Sequence, residues 1–367
     1  MEVKFTDLTG PTRQIAKKYL KAVEKFLGKG NFILTDEVRN FEKDWARTVG
    51  ADFCVGTSNG ADALYLALKA LEIGEGDEVI TQGNAYNASV TAILRVGAMP
   101  RFIDIDPDTF CMDAGKIESL ITNKTKAIMP VHLYGQMNDM KAIAAIAKKY
   151  NLAVIEDCAQ AHLAKFNSRY AGVWGDIGTF SFYPTKNLGA FGDAGAIVTG
   201  RKDLYEKVLA LRNLGQTAKN EHRYLGFNMR LDPIQAIALI LKLKFLPAAT
   251  QKRIKAARYY DQLLEKAGVS IKPQVGDSRA THVYHLYVVQ SLSYDRDKLR
   301  EELSKRGVQT AIHYPIPVYR QPFYKGPKDP CPTTDKILTR ILSLPMFDNI
   351  KRQEQNYVVQ CLKEILR

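Results

Sequence analysis

Between Phe53 and Glu156 the chain alternates short apolar runs with helical patterns, and this alternation restricts the fold more than any other feature. The runs Phe53–Gly56, Glu78–Thr81, Arg101–Ile105, Ala127–Val131 and Ala153–Glu156 each read as a strand. Helical segments at Asn87–Val96, Ala114–Ile121 and Met140–Tyr150 separate the last four. Strands joined through helices pair in parallel and are buried on both faces. The expected architecture is therefore α/β, with a mainly parallel central sheet flanked by helices. Two more strands, Thr179–Phe182 and Gly195–Thr199, enclose a turn-rich loop with Lys186 at its centre. Ligands of such sheets bind beyond the carboxyl ends of the strands. Tyr86, His132, Gln136, Asp157 and Gln160 all follow strand ends.

A chain of 367 residues is long for one domain. Helices Thr12–Leu27 and Thr35–Val49 precede the first strand, the second with Thr35 as N-cap. After the Lys186 loop, a helix over Leu204–Leu214 leads to the polar loop GQTAKNEHRYLGFNMR. Asp232-Pro233 then opens an apolar helix that Pro247 is expected to end. That point divides an N-terminal arm and large domain, 1–247, from a smaller α+β domain, 248–367. The smaller domain is predicted to hold helix Gln251–Ala267, strand Val283–Val289, helix Arg296–Arg306, a strand through Thr310–Ile312 and helix Arg352–Leu366. The polar loop and the apolar helix are candidates for a subunit interface.

Composition excludes more than it selects. The five cysteines are scattered without a CxxC pair, and the six histidines show neither HxxxH nor HExxH spacing, so no metal site is expected. The net charge of +13 is spread through helices and interleaved with acids, without a basic tail or zinc-finger spacing. Attraction of small anionic substrates suits that distribution better than nucleic acid. No stretch of about 18 apolar residues and no signal-type N-terminus occurs, so a cytoplasmic protein outside the membrane is expected.

Three local features define a candidate site. Lys186 stands on a loop stiffened by Pro184, Gly189, Gly192 and Gly195 and bordered by Phe180, Phe182, Tyr183 and Phe191. A lysine there is either a solvated surface charge or an amine whose pKa an apolar pocket lowers for attack on a carbonyl. The segment Thr57-Ser58-Asn59-Gly60 opens directly into a helix, giving either an ordinary N-cap or an anion site made of free amides and the helix dipole. Glu156 and Asp157 close an apolar strand, where an acid needs a cation or a donor as partner. A helix cap or a structural ion pair would also satisfy them. His132 and His162 read as packing residues.

In this order and spacing, FILTDEVRNFE, GTSNGADALYLAL, GDEVITQGNAYNASVTAI, VHLYGQMNDM, VIEDCAQAHLA, GDIGTFSFYPTKNLGAFGDAGAIVT, GFNMRLDPIQA and HYPIP resemble the DegT/DnrJ/EryC1/StrS family. These are pyridoxal-phosphate-dependent sugar aminotransferases of aspartate-aminotransferase fold type. The resemblance implies pyridoxal 5'-phosphate as cofactor and Lys186 as the residue joined to its aldehyde. Asp157 would pair with the ring nitrogen, Gln160 with the ring hydroxyl, and Tyr86 would stack on the ring. Ser58, Asn59 and Ser181 would hold the phosphate, with Asn228 supplied by the other subunit of a homodimer. Tyr183, Arg230, His313 and Tyr314 are placed near the substrate. The implied reaction has two halves, through the pyridoxamine form. L-glutamate is the donor, and a nucleotide-linked deoxysugar the acceptor, with a C3 keto group favoured over C4.

A keto-cyclitol acceptor is the nearest alternative, and a non-catalytic regulator of the same fold the alternative from another class. A dehydrating relative that replaces the lysine with histidine is set aside because Lys186 is present. Two departures stand out: Thr35-Asp36 where relatives often carry Gly-Pro, and Tyr319 where many carry histidine.

Overall fold

The computed structural model describes residues 1–366, so Arg367, the last residue of the expected C-terminal domain, lies outside the described residues. Burial selects seven short strands for the centre: β1 (Phe53–Thr57), β2 (Glu78–Gln82), β3 (Met99–Ile103), β4 (Thr125–Met129), β5 (Ala153–Asp157), β6 (Ile177–Ser181) and β7 (Gly195–Thr199). They lie in the order β1-β7-β6-β5-β4-β2-β3. The run from β6 to β3 is parallel, while β7 runs antiparallel to both its neighbours, β1 and β6. The expected mainly parallel α/β sheet is present.

Successive strand residues point into opposite layers, as the two-residue repeat requires. Ile80, Ile128, Val154 and Val198 face one core, and Val79, Ala127, Ile155 and Ile197 the other. The helix α1 (Thr9–Leu27) is followed by α2 (Asp36–Val49), which closes the first layer with Val38, Phe41 and Trp45. The second layer is closed by α3 (Gly60–Ala70), whose Leu64, Leu66 and Leu68 are buried. No single helix among the described residues is long and apolar enough to cross a membrane.

Prolines moved several expected boundaries. β4 stops at Met129 rather than continuing to Val131, because Pro130 has no N–H for the ladder. β3 starts at Met99 and includes Pro100, which an edge strand tolerates. Pro247 does not end the apolar helix. That helix runs Pro233–Leu243, and Pro247 lies in the first turn of the next, Leu246–Ala267, where an N–H is dispensable. The two helices meet at 62°.

Three further strands, Ile271–Pro273, Tyr287–Ser291 and Ile341–Leu344, form a separate antiparallel sheet. It packs on Tyr260, Leu299, Leu303 and Leu362, with Val3 of the N-terminus in the same core. The expected strand over Val283–Val289 therefore begins only at Tyr287. Its first residues instead run along the large sheet's loops, with Val283 N–H donating to Gly135 (3.0 Å) and Leu286 N–H to Tyr134 (3.3 Å). Around Thr310–Ile312 only Ala311 pairs, with Ser343.

A buried ion pair ties α2 to the sheet. Arg212 donates to Glu42 and to the carbonyl of Gly56 (2.7 Å), and Glu42 accepts the Gly56 N–H (2.7 Å). Removing one partner of such a pair leaves an uncompensated buried charge. Glu42→Ala is expected to lower the unfolding free energy by about 3–5 kcal/mol, and adding Arg212→Met to recover part of that loss. Denaturant titration of the two variants checks both expectations.

Candidate active site

A cavity of about 480 Å³ opens at the carboxyl ends of β2, β4, β5 and β6. Asp157 ends β5 and Ser181 ends β6, so the sheet itself delivers both to the rim. Asn59, Tyr86, Gln160, Tyr183, Lys186, His313 and Tyr314 line the same space.

Lys186 is held by its loop rather than by its own contacts. Its N–H donates to Tyr183 (2.8 Å), and Ala190 N–H donates to Phe182 (2.8 Å). Asn187 Nδ2 donates to Val283 O (3.1 Å), Lys242 Nζ to Gly189 O (2.7 Å), and Phe191 N–H to Gln235 Oε1 (2.9 Å). Gly189 is obligatory, since a Cβ there would stand 2.3 Å from the Pro184 carbonyl oxygen. Of the four aromatic walls expected around the lysine, Phe180 and Tyr183 line the cavity. Phe182 is fully buried behind them, and Phe191 lies beneath Lys242 at 4.2 Å. Burial lowers the Lys186 pKa to about 8, against the opposing pull of the Asp157 charge.

Asp157 is buried and oriented by two donors, Ser89 Oγ (2.7 Å) and the Ala159 N–H (3.0 Å). At the far end, Asn59 caps α3 by accepting the Asp62 N–H (2.8 Å), and its carbonyl takes the Ala63 N–H (3.1 Å). The amides of Gly60 and Ala61 are left without a partner among the described residues, and both residues line the cavity. Ser181 closes in so tightly that a Cβ on Gly60 would meet its Cβ at 2.6 Å. Free amides, a helix start and a hydroxyl make an anion cradle.

Gln160 links the remaining groups. Its Oε1 accepts the Tyr134 N–H (2.7 Å) and its Nε2 donates to Tyr314 Oη (3.2 Å). Tyr314 lies beside half-exposed Tyr86, ring centroids 5.0 Å apart. Burial and the Lys186 charge lower the His313 pKa to about 4 and push His285 well below its ordinary value.

Three expected residues are not brought to this cavity. Ser58 turns its hydroxyl to Asp62 (2.6 Å). Arg230 donates to Asn228 Oδ1 (2.7 Å), and both stand outside the cavity of their own chain. His132 and His162 also lie outside it. His162 is enclosed by Trp45, Phe180 and Phe182, and His132 pairs with Glu156 (3.0 Å). Glu156 accepts further N–H bonds from Gly172, Trp174 and Gly175, so the buried cluster of His132, Glu156 and Cys158 has a saturated carboxylate. Tyr319 is a packing residue away from the cavity. It donates to Asp335 (2.8 Å) and packs against Phe102 and Gly83. Sequence reasoning missed Ser89 and His285. A polar residue on the buried face of the helix Asn87–Arg95 was the only signal for Ser89, and none marked His285, whose Nδ1 meets Asn187 Oδ1 at 3.3 Å.

The donor set fits pyridoxal phosphate: an anion cradle, a buried carboxylate, an aromatic face and an amine of lowered pKa share one cavity. Comparison with known proteins agrees. The model of the DegT/DnrJ/EryC1/StrS aminotransferase family matches residues 13–363. The chain is 43% identical over 361 residues to the dTDP-3-amino-3,6-dideoxy-α-D-galactopyranose transaminase of Aneurinibacillus thermoaerophilus, covering 98% of each. It is 42% identical over 372 residues to a Geobacillus stearothermophilus protein named pleiotropic regulatory protein, covering 100% of this chain and 99% of that one. The crystal structure of S. venezuelae DesV in complex with a ketimine intermediate matches with a TM-score of 0.95 at 36% identity, covering 100% of this chain and 99% of that one. The chain belongs to the DegT/DnrJ/EryC1/StrS family and is a pyridoxal-phosphate-dependent aminotransferase.

Proposed function

We propose that the protein moves an amino group from L-glutamate to a keto group, at C3 rather than C4, of a nucleotide-linked deoxysugar in the cytoplasm. The observation that carries the chemistry is the meeting of Lys186, Asp157 and the anion cradle in one cavity. The sugar acceptor and the C3 position are supported by the name of the Aneurinibacillus relative, a 3-amino-sugar transaminase.

When bound, the cofactor supplies an electron sink for the bond broken at the substrate carbon. The protein's own groups do the rest. Gly60, Ala61 and Ser181 would hold the phosphate, with Asn59 setting the helix start. Asp157, aimed by Ser89 and Ala159, keeps the ring nitrogen protonated. Tyr86 would cover the ring and Gln160 would donate to its hydroxyl. Lys186 would anchor the cofactor and, once released, its Nζ would take the proton from the substrate carbon and return it to the carbon on the far side of the linking nitrogen, a task suited to an amine of lowered pKa. Tyr183, His313 and Tyr314 bound the space left for the sugar.

The active sites are shared in a homodimer in this reading. Leu20, Phe32, Ile33, Leu225 and Ile234 are large apolar side chains left exposed, and Asn228 and Arg230 do not line their own cavity. Residues 1–247 supply the N-terminal arm and the large cofactor-binding domain, and 248–367 the smaller one.

The purified protein is expected to show a visible absorption band that L-glutamate bleaches and that Lys186→Ala lacks. A colourless protein overturns the cofactor role, and a band unmoved by glutamate overturns the donor. Asn228→Ala is expected to release the cofactor more readily in dialysis while sedimentation still reports a dimer. A monomer with full activity overturns the shared site.

Competitive acylation of the apoprotein lysines tests the amine itself. Only the neutral amine reacts, so labelling of Lys186 should rise with pH to a midpoint near 8. The Asp157 charge favours the ammonium, so Asp157→Asn should move that midpoint lower. A midpoint at the ordinary lysine value refutes the desolvated amine.

A further inference from the structure

The residues before α1 are sewn into the smaller domain. Val3 donates to Gly307 O (2.8 Å) and accepts from the Gln309 N–H (3.0 Å), pairing in parallel with Val308. Phe5 donates to Gln309 Oε1 (3.2 Å), and its carbonyl accepts the Met346 N–H (3.2 Å). These bonds press the Phe5 ring on that of His313, with centroids 5.7 Å apart and planes at 21°. His313 lines the cavity and Phe5 does not.

His313 is fixed on its other sides too. Its Nδ1 lies 2.9 Å from Ser343 Oγ, and the Tyr134 hydroxyl donates to its carbonyl. Ser343 is buried and exchanges two backbone bonds with Ala311, at 2.7 and 3.2 Å. With Nδ1 engaged and one face covered by Phe5, Nε2 is the ring nitrogen left for a ligand. Burial and the Lys186 charge keep the ring neutral at physiological pH. A neutral ring offers Nε2 as a single donor or acceptor, which suits a hydroxyl or keto oxygen, and it carries no full charge to pair with the carboxylates of a dicarboxylic donor.

We propose that Phe5 is a positioning residue for the acceptor: the N-terminal strand stacks it on His313 and so sets the imidazole that meets a sugar oxygen. This inference rests on the sugar-nucleotide reading above.

The test follows band bleaching by the cofactor-loaded protein in two arms. One uses L-glutamate, and the other uses dTDP-3-amino-3,6-dideoxy-α-D-galactose, with a UDP-linked 3-amino sugar as second probe, in the reverse half-reaction. Phe5→Ala should lower the bimolecular rate in the sugar arm about two- to ten-fold, the worth of one aromatic contact, and leave the glutamate arm unchanged. Phe5→Tyr, which keeps the stack, should restore the sugar arm. In a His313→Ala background, adding Phe5→Ala should cost nothing further, because the two act as one unit. Equal losses in both arms, or an added cost in that background, would show a merely structural residue and overturn the proposal. Should His313→Ala leave the sugar arm untouched, the positioning role falls while the transaminase reading stands. Should neither amino sugar bleach a band that glutamate does, the sugar reading itself falls, and this inference with it.

Discussion

The structure depends on one opposition: an ammonium held out of water, with a carboxylate near enough to steady it but not to neutralise its chemistry. Desolvation drives the proton off Lys186, and Asp157 pulls it back, leaving the amine to titrate at about 8. Full burial without Asp157 would leave an amine unable to keep the proton it must deliver. A direct ion pair would hold that proton too firmly. Ser89 and the Ala159 amide each donate to one Asp157 oxygen and fix the carboxylate's orientation.

That opposition requires a lysine whose backbone does not move, and the loop supplies it at the cost of sequence freedom. Gly189 cannot carry a Cβ beside the Pro184 carbonyl, and Gly195 would strike the Asn59 carbonyl at 2.4 Å. The second contact joins the loop to the anion cradle, so the two ends of the cofactor site are packed against each other. Both glycines are therefore structural elements of the active site although neither lines the cavity.

Much of this was legible in the sequence, for a physical reason in each case. Buried parallel strands announce themselves by their composition, and Asp157 and Lys186 stood out because each breaks an apolar or glycine-rich context. What was not legible depended on contacts between distant segments. Ser89 looks like any helix residue until the fold brings it 2.7 Å from Asp157. Val283–Leu286 has the apolar pattern of a strand, yet it bonds to Tyr134 and Gly135, far away in the sequence. Pro130 and Pro247 were visible, and their consequences were not: one stopped a strand early, and the other began a helix it was expected to close.

The segment Val283–Leu286 ties the Lys186 loop to the small antiparallel sheet. Asn187, the lysine's neighbour, bonds to Val283 and His285, and Arg253 secures the same segment through the carbonyls of Tyr284 and His285 (3.2 and 3.4 Å). Arg253 is held in turn by Asp348 (2.6 Å), beyond the last strand of the small sheet. The amine thus stands on a chain of bonds that reaches from the central sheet into the second core. His313, held by Ser343 of that small sheet, borders the same cavity. The small sheet thus supports both the lysine's anchor and one wall of the cavity.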